Sequence, residues 1–250
     1  LRKLINLIAV PMLIVIAWAF LSSSGIFSEF LLPTPAKVFK SFLELCESGE
    51  LSRHILASSG RVFGGFFMAV IVALPLAYFF YHSPEAEARS KLTLEALRFI
   101  PPLSLIPLLI LWLGIGEPAK LAIVFLASFF PIYLNVFSGF KQINSAYDEL
   151  SQTLRLTKLE KFRHIEFPAS LPNIFTGLRL GFGYSWRALV GAELIAATSG
   201  LGYLIGDASE MSRTDRVFVG ILCIAVLGIA GDQLFQFIGK RCTPWARNKW

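Results

Sequence analysis

His54, His82 and His164 lie in three separate polar segments of the chain. No HExxH pair, GxSxG elbow or recognisable paired-carboxylate arrangement accompanies them, so the groups that run metal-assisted hydrolysis or acyl transfer are not assembled. No GxxxxGK[ST] loop occurs either, and a chain without that phosphate cradle has no P-loop with which to bind and split a nucleotide. Any ATP-derived energy must come from a partner. Cys46, Cys223 and Cys242 are widely spaced, odd in number and without a CxxC pair, which points to neither a disulfide framework nor a zinc site. The chain reads as a non-enzyme.

Chemistry of another kind sits in the apolar stretches. Arg179, Arg187 and Glu193 stand out there, all on one predicted helix, and an unpaired charge at mid-membrane costs about 3 kcal/mol or more. Such groups must face protein or water. At about 100° per residue, Arg179 and Arg187 lie about 80° apart, while Arg187 and Glu193 differ by about 120° and do not pair readily within the helix. Tyr184, Trp186 and the glycines Gly177, Gly181, Gly183 and Gly191 give this helix a narrow, aromatic-edged face, suited to tight packing or to a solute path. Tyr184, Trp186, Arg187 and Glu193 are therefore the pathway candidates. Arg187 is open between lining the path and pairing with another helix, Glu193 reads as a gate or interface pair, and Arg179 is placed to snorkel.

The elements that position these residues follow from composition. Of 250 residues, 55% are hydrophobic and 16% charged, and the mean hydropathy is +0.63, which lies outside the soluble globular range. The +6 net charge is then a matter of which membrane face carries the cations, not of nucleic acid. Apolar runs of spanning length cover residues 4–21, 55–81, 99–115, 119–137, 174–197 and 217–238. A signal peptide is the rival reading of the first run, but no A-x-A site follows it. Pro75 predicts a kink in the second. Gly60, Gly64 and Gly65 give it a small-residue face for close helix approach. Pro101, Pro102 and Pro107 force the third to start late or run broken. Residues 82–98 and 198–216 read as exposed loops, and residues 25–54 as an outer connector with a short amphipathic helix around Val38, Phe39, Phe42, Leu43 and Leu45. Arg2, Lys3, Arg89, Lys91, Arg98, Lys141, Arg155, Lys158, Lys161, Arg163, Lys240, Arg241, Arg247 and Lys249 gather on one side, against Lys37, Lys40, Arg53, Lys120, Arg213 and Arg216 on the other. Both termini are thus expected in the cytoplasm.

Residues 141–173 form the longest water-compatible stretch between two apolar blocks. Leu150, Leu154, Leu156, Leu159, Phe162 and Ile165 recur mostly at steps of three or four, which predicts one or two short amphipathic helices broken near residues 155–157, with Pro168 and Pro172 stopping them. An ordered amphipathic insert between spans reads as a docking surface, or as a helix resting in lipid headgroups.

At this point the chain resembles the membrane subunits of bacterial ABC importers, in particular the permeases for nitrate, sulfonate, taurine and bicarbonate uptake. The resemblance runs through LLPTPAKVF at 31–39, IPPLSLIPLLILWLGIGEPAK at 100–120, FFPIYLN at 129–135, FPASLPNIFTGLRLG at 167–181 and SGLGYLI at 199–205. The family's cytoplasmic signature is degenerate here: Glu149 keeps its Glu, Leu150 and Ser151 replace two alanines, Arg155 replaces a glycine, and Ile165, Phe167 and Pro168 close the pattern. The resemblance implies a type I importer permease fold, all-α and polytopic with six transmembrane helices in one domain spanning residues 1–250, in the bacterial inner membrane. It implies an ATPase-coupling surface that includes Glu149, Leu150, Ser151, Leu154, Arg155, Leu159, Phe162, Ile165 and Pro168. The partners it implies are a cytoplasmic ABC ATPase dimer carrying ATP and Mg, a second copy of the chain, a periplasmic solute-binding protein and membrane lipid. No cofactor is expected on this chain, and the solute is expected to be a small anion. An ion-coupled secondary transporter would need an acidic or histidine relay in the spans, for which Glu193 alone qualifies, or inverted repeats, and none is visible. A membrane scaffold without transport is the third class.

Overall fold

The computed structural model describes residues 2–249, and the side chains of residues 9–246. Arg2, Lys3, Arg247 and Lys249 of the charge count lie outside the described side chains. The described residues contain no strand. The helices are α1 (Arg2–Ser23), α2 (Pro35–Glu47), α3 (Glu50–His82), α4 (Pro84–Phe99), α5 (Ile106–Leu113), α6 (Glu117–Lys141), α7 (Ala146–Thr153), α8 (Lys158–Lys161), α9 (Phe167–Ala196), α10 (Leu201–Glu210) and α11 (Thr214–Cys242). Among the described residues α3, α6 and α11 are each long and apolar enough to cross a membrane. Two bent pairs, Pro84–Phe99 with Pro102–Leu113 and Lys158–Ala196 with Leu201–Glu210, raise the number to five if each is one span.

The proline-broken third block is as the sequence requires: a 3-10 turn at Pro102–Leu105 precedes an α5 of only eight residues, and the chain bends by 84° between α4 and this segment. Residues 82–98 are not a loop. Pro84 at the helix start, Glu85 and Glu87 in the first turn and Arg98 in the last match the helix dipole at both ends and build α4. Nor is 198–216 irregular, because it contains α10. Pro168 and Pro172 do not end the connector's helices. The first falls in the opening turn of α9 and the second inside it. The missing Pro168 N–H removes the bond to the His164 carbonyl, and the chain passes that point as a π turn, Phe162–Glu166, in which the Phe167 N–H donates to Phe162 O.

The chain divides into two compact units, Leu1–Ser58 with Glu193–Ala225, and Ser59–Ala192 with Val226–Trp250. In the first, the Trp18 ring stacks on Phe218 at 5.2 Å and its indole N–H donates to Pro33 O at 3.0 Å. The amphipathic α2 is capped by Thr34, whose hydroxyl accepts from the Lys37 N–H, and it buries Val38, Ser41 and Leu45. Ser41 donates to Asp215, which also holds Arg213 in a two-armed bridge of 3.1 and 2.9 Å.

The second unit is packed around Phe66, Phe182 and Phe235, with ring centroids 5.4 to 5.7 Å apart. α3 meets α6 where Gly65 faces Val124, and α9 meets α6 where Gly177 and Gly181 face Ile132. A Cβ at Gly65 or Gly181 would fall within 2.7 Å of those side chains. Ile106 and Leu109 of α5 pack with Ile123 and Ala127 of α6. Apolar blocks also hide ionisable groups that the sequence reading left out. Arg61 of α3 is buried and pairs with Glu117 at 2.7 Å, and Asp232 of α11 takes both arms of Arg179 at 2.9 and 2.8 Å. Arg179 is thus paired, with a partner that the sequence does not point to.

Candidate functional site

The connector is a two-sided piece, capped at its turn and braced by ion pairs. α7 ends in a Schellman motif: the Leu156 N–H donates to Ser151 O and the Arg155 N–H to Gln152 O, both at 3.0 Å. Arg155 takes the left-handed position at φ +51° that glycine usually fills, so the turn is made with a side chain in place. α8 opens two residues later with a capping box, in which Glu160 Oε2 accepts from the Thr157 N–H at 2.8 Å while the Thr157 hydroxyl accepts from the Glu160 N–H at 3.3 Å. The break therefore falls where the spacing placed it.

One side of this piece faces inward. Ser151 is buried and donates to Asp148 O, Phe162 packs its ring 4.9 Å from Tyr78, and Ile165 and Pro168 are half-buried. Lys161 bridges Asp148 at 2.7 Å and the buried Glu166 at 3.3 Å. The Asp148 carboxylate, then that of Glu166, outweigh desolvation and hold the Lys161 pKa above the ordinary lysine value. On the other side Glu149, Leu150, Leu154, Arg155 and Leu159 are exposed, with Leu159 at 74% and Leu154 at 59%. Three leucines facing out on a structure fixed by caps and ion pairs form a surface with no partner within the described residues.

The structure separates the pathway candidates. Tyr184 and Arg187 sit together, the guanidinium 5.5 Å from the ring centroid, on the wall of a mainly apolar groove of about 840 Å³ that Arg98, Pro101, Leu103 and Phe125 also line. Arg98, on the missed α4, is the second cation of that groove. Trp186 does not share it: the side chain is 4% exposed, 6.4 Å from the Phe182 ring, and its indole N–H has no acceptor among the described residues.

Glu193 is 1% exposed and closed in a cage within the first unit. Ser58 donates to its carboxylate at 2.8 and 2.9 Å, and the Gly202 N–H, at the start of α10, donates at 2.9 Å. Next to it the Gly200 N–H donates to His54 Nδ1 at 3.0 Å and the Leu201 N–H to the Ser58 hydroxyl at 2.8 Å. Glu193 thus neutralises the positive end of α10. Gly200 has φ +121°, and a Cβ there would collide with the Glu193 carboxylate. Among the described residues no group of three or more His, Cys, Asp or Glu side chains is placed to hold a metal.

Residues 65–244 match the family described as binding-protein-dependent transport system inner membrane component. The chain belongs to this family. It is 37% identical over 235 residues to a permease of Escherichia coli assigned to aliphatic sulfonates transport, covering 94% of this chain and 89% of that relative. It is 32% identical over 233 residues to the taurine transport system permease of the same organism, covering 91% of this chain and 85% of the relative. Among solved structures, a chain of the MetNI methionine ABC transporter in inward-facing conformations superposes with a TM-score of 0.62 at 16% identity, over 75% of this chain and 95% of that one. The type I ABC permease fold is thus shared by chains of very different sequence. As a member of this family the chain is a membrane subunit of a transporter.

Proposed function

We propose that this permease works as a homodimer of single six-span domains in the bacterial inner membrane, coupled through residues 146–165 to a cytoplasmic ATPase dimer that carries ATP and Mg. A periplasmic solute-binding protein delivers the solute. The observation that carries the reading is the exposed Leu150, Leu154 and Leu159 edge on a connector held rigid at its turn, its cap and its ion pair, in a chain with no P-loop of its own. A rigid piece passes a push on to the spans, whereas a flexible one absorbs it. The solute is a small anion, and an organic sulfonate is the first choice. The groove offers apolar walls with the guanidinium of Arg187, which fit a short apolar tail and a charged head, and the relatives named for sulfonates and taurine point the same way.

The test is purification from native membranes in mild detergent, comparing wild type with the double variant Glu149→Arg, Leu154→Asp. Both side chains are exposed, so the variant is expected to fold. A P-loop ATPase should accompany wild type and be lost from the variant. Uptake by the wild-type chain alone in liposomes, with no ATPase in either sample, would overturn the reading in favour of ion-coupled transport.

A further inference from the structure

Glu166 is the acidic residue in the π turn and its side chain is 1% exposed. Its Oε2 accepts from the Tyr78 hydroxyl at 3.1 Å, while Oε1 lies 3.3 Å from Lys161 Nζ and 3.4 Å from His82 Nε2. Lys161 in turn holds Asp148 of α7 at 2.7 Å. A carboxylate is costly to bury, and an apolar side chain of similar size would pack such a position at least as stably. The charge therefore fixes geometry rather than adding stability.

The geometry it fixes is specific. Asp148 and Lys161 belong to the connector, Glu166 to the turn that leads into α9, and Tyr78 and His82 to the end of α3. Phe140 of α6 closes the group, its ring 5.3 Å from that of Tyr78. The backbone links the connector to α9 only through the π turn, a place where a helix gives way readily. The chain of polar contacts from Asp148 through Lys161 and Glu166 to Tyr78 spans that turn and reaches a second helix.

We infer that Glu166 is a positioning residue for energy coupling: with Lys161 it locks the connector across the π turn and hands its displacement to α3 as well as to α9. The inference rests on the coupling reading above. It needs no contact between Glu166 and the ATPase, and it separates partner binding from transmission.

The test uses the intact transporter, permease with its own ATPase and binding protein, in proteoliposomes loaded with ATP, reading solute uptake and ATP hydrolysis together. Glu166→Gln and Lys161→Met should each retain the ATPase on purification, yet lower the solute moved per ATP by about tenfold, within the usual range of coupling between two sites. Lys161→Arg, which keeps the charge that bridges Asp148 and Glu166, should move more solute per ATP than Lys161→Met. If Glu166→Gln fails to fold, Lys161→Met decides, because Lys161 is partly exposed. Uptake and hydrolysis falling in proportion, or an unchanged ratio in Lys161→Met, would overturn the lock. A wild-type chain that brings down no ATPase would instead overturn the coupling reading, and that is seen before any variant is made.

Discussion

Arg187 and Glu193 are six residues apart and look alike in the sequence, each a lone charge in an apolar run, yet their surroundings assign them different work. Glu193 is enclosed by Ser58 and the Gly202 amide, so removing its carboxylate leaves buried donors unmade. Glu193→Ala is expected to cost about 2 to 3 kcal/mol, read as a lowered detergent melting temperature. Arg187 is exposed and lies against the Tyr184 ring, and Arg187→Ala should leave that temperature nearly unchanged while lowering anion uptake. The reverse pattern would make Arg187 structural. Arg155 gives a prediction of opposite sign. A left-handed residue with a Cβ costs about 1 kcal/mol relative to glycine, so Arg155→Gly should slow hydrogen exchange at the Leu156 amide by up to about fivefold. It should leave ATPase co-purification intact.

At the scale of elements the decisive piece is the π turn, which carries one residue more than an α-helix needs. Because the wider π turn absorbs the rotation of its extra residue, deleting Arg163, which is exposed, is expected to restore a continuous α-helix with the connector's orientation relative to α9 nearly kept. Lys161 and Glu166 would then stand four apart, a spacing at which opposite charges on a helix still pair, so the deletion and Arg163→Ala should both keep transport. Parallel uptake assays check both. The sequence disclosed the connector because leucines at steps of three and four, interrupted at Arg155, show in a local window. It disclosed the broken third block because three prolines leave few alternatives. It hid α4, whose few apolar residues bury nothing fully, and α10, whose glycines read as loop. It also hid Glu166, because that residue's importance comes from Tyr78, 88 positions away. Pairings over such distances have no local signal, and Arg61 with Glu117 and Arg179 with Asp232 escaped for the same reason.

At the scale of the whole molecule the open quantity is how many times the chain crosses the membrane, and two native cysteines report on it. Cys46 on α2 and Cys242 at the end of α11 are both exposed. With six spans, Cys46 faces outward, five crossings follow it, and Cys242 faces the cytoplasm with the cations of the connector. A membrane-impermeant maleimide on intact cells should therefore label Cys242→Ser, which retains Cys46, and should label Cys46→Ser only after permeabilisation. If one of the two bent pairs turns back instead of crossing, the crossings between the cysteines become even and both react from outside. Arg155→Cys in a background lacking Cys46 and Cys242 then identifies the pair. Labelling from outside places the return at the 84° bend between α4 and α5, upstream of the connector. That result would remove the connector from the side on which an ATPase works. Labelling only after permeabilisation places the return at the 46° bend before α10 and leaves the coupling surface where ATP is found.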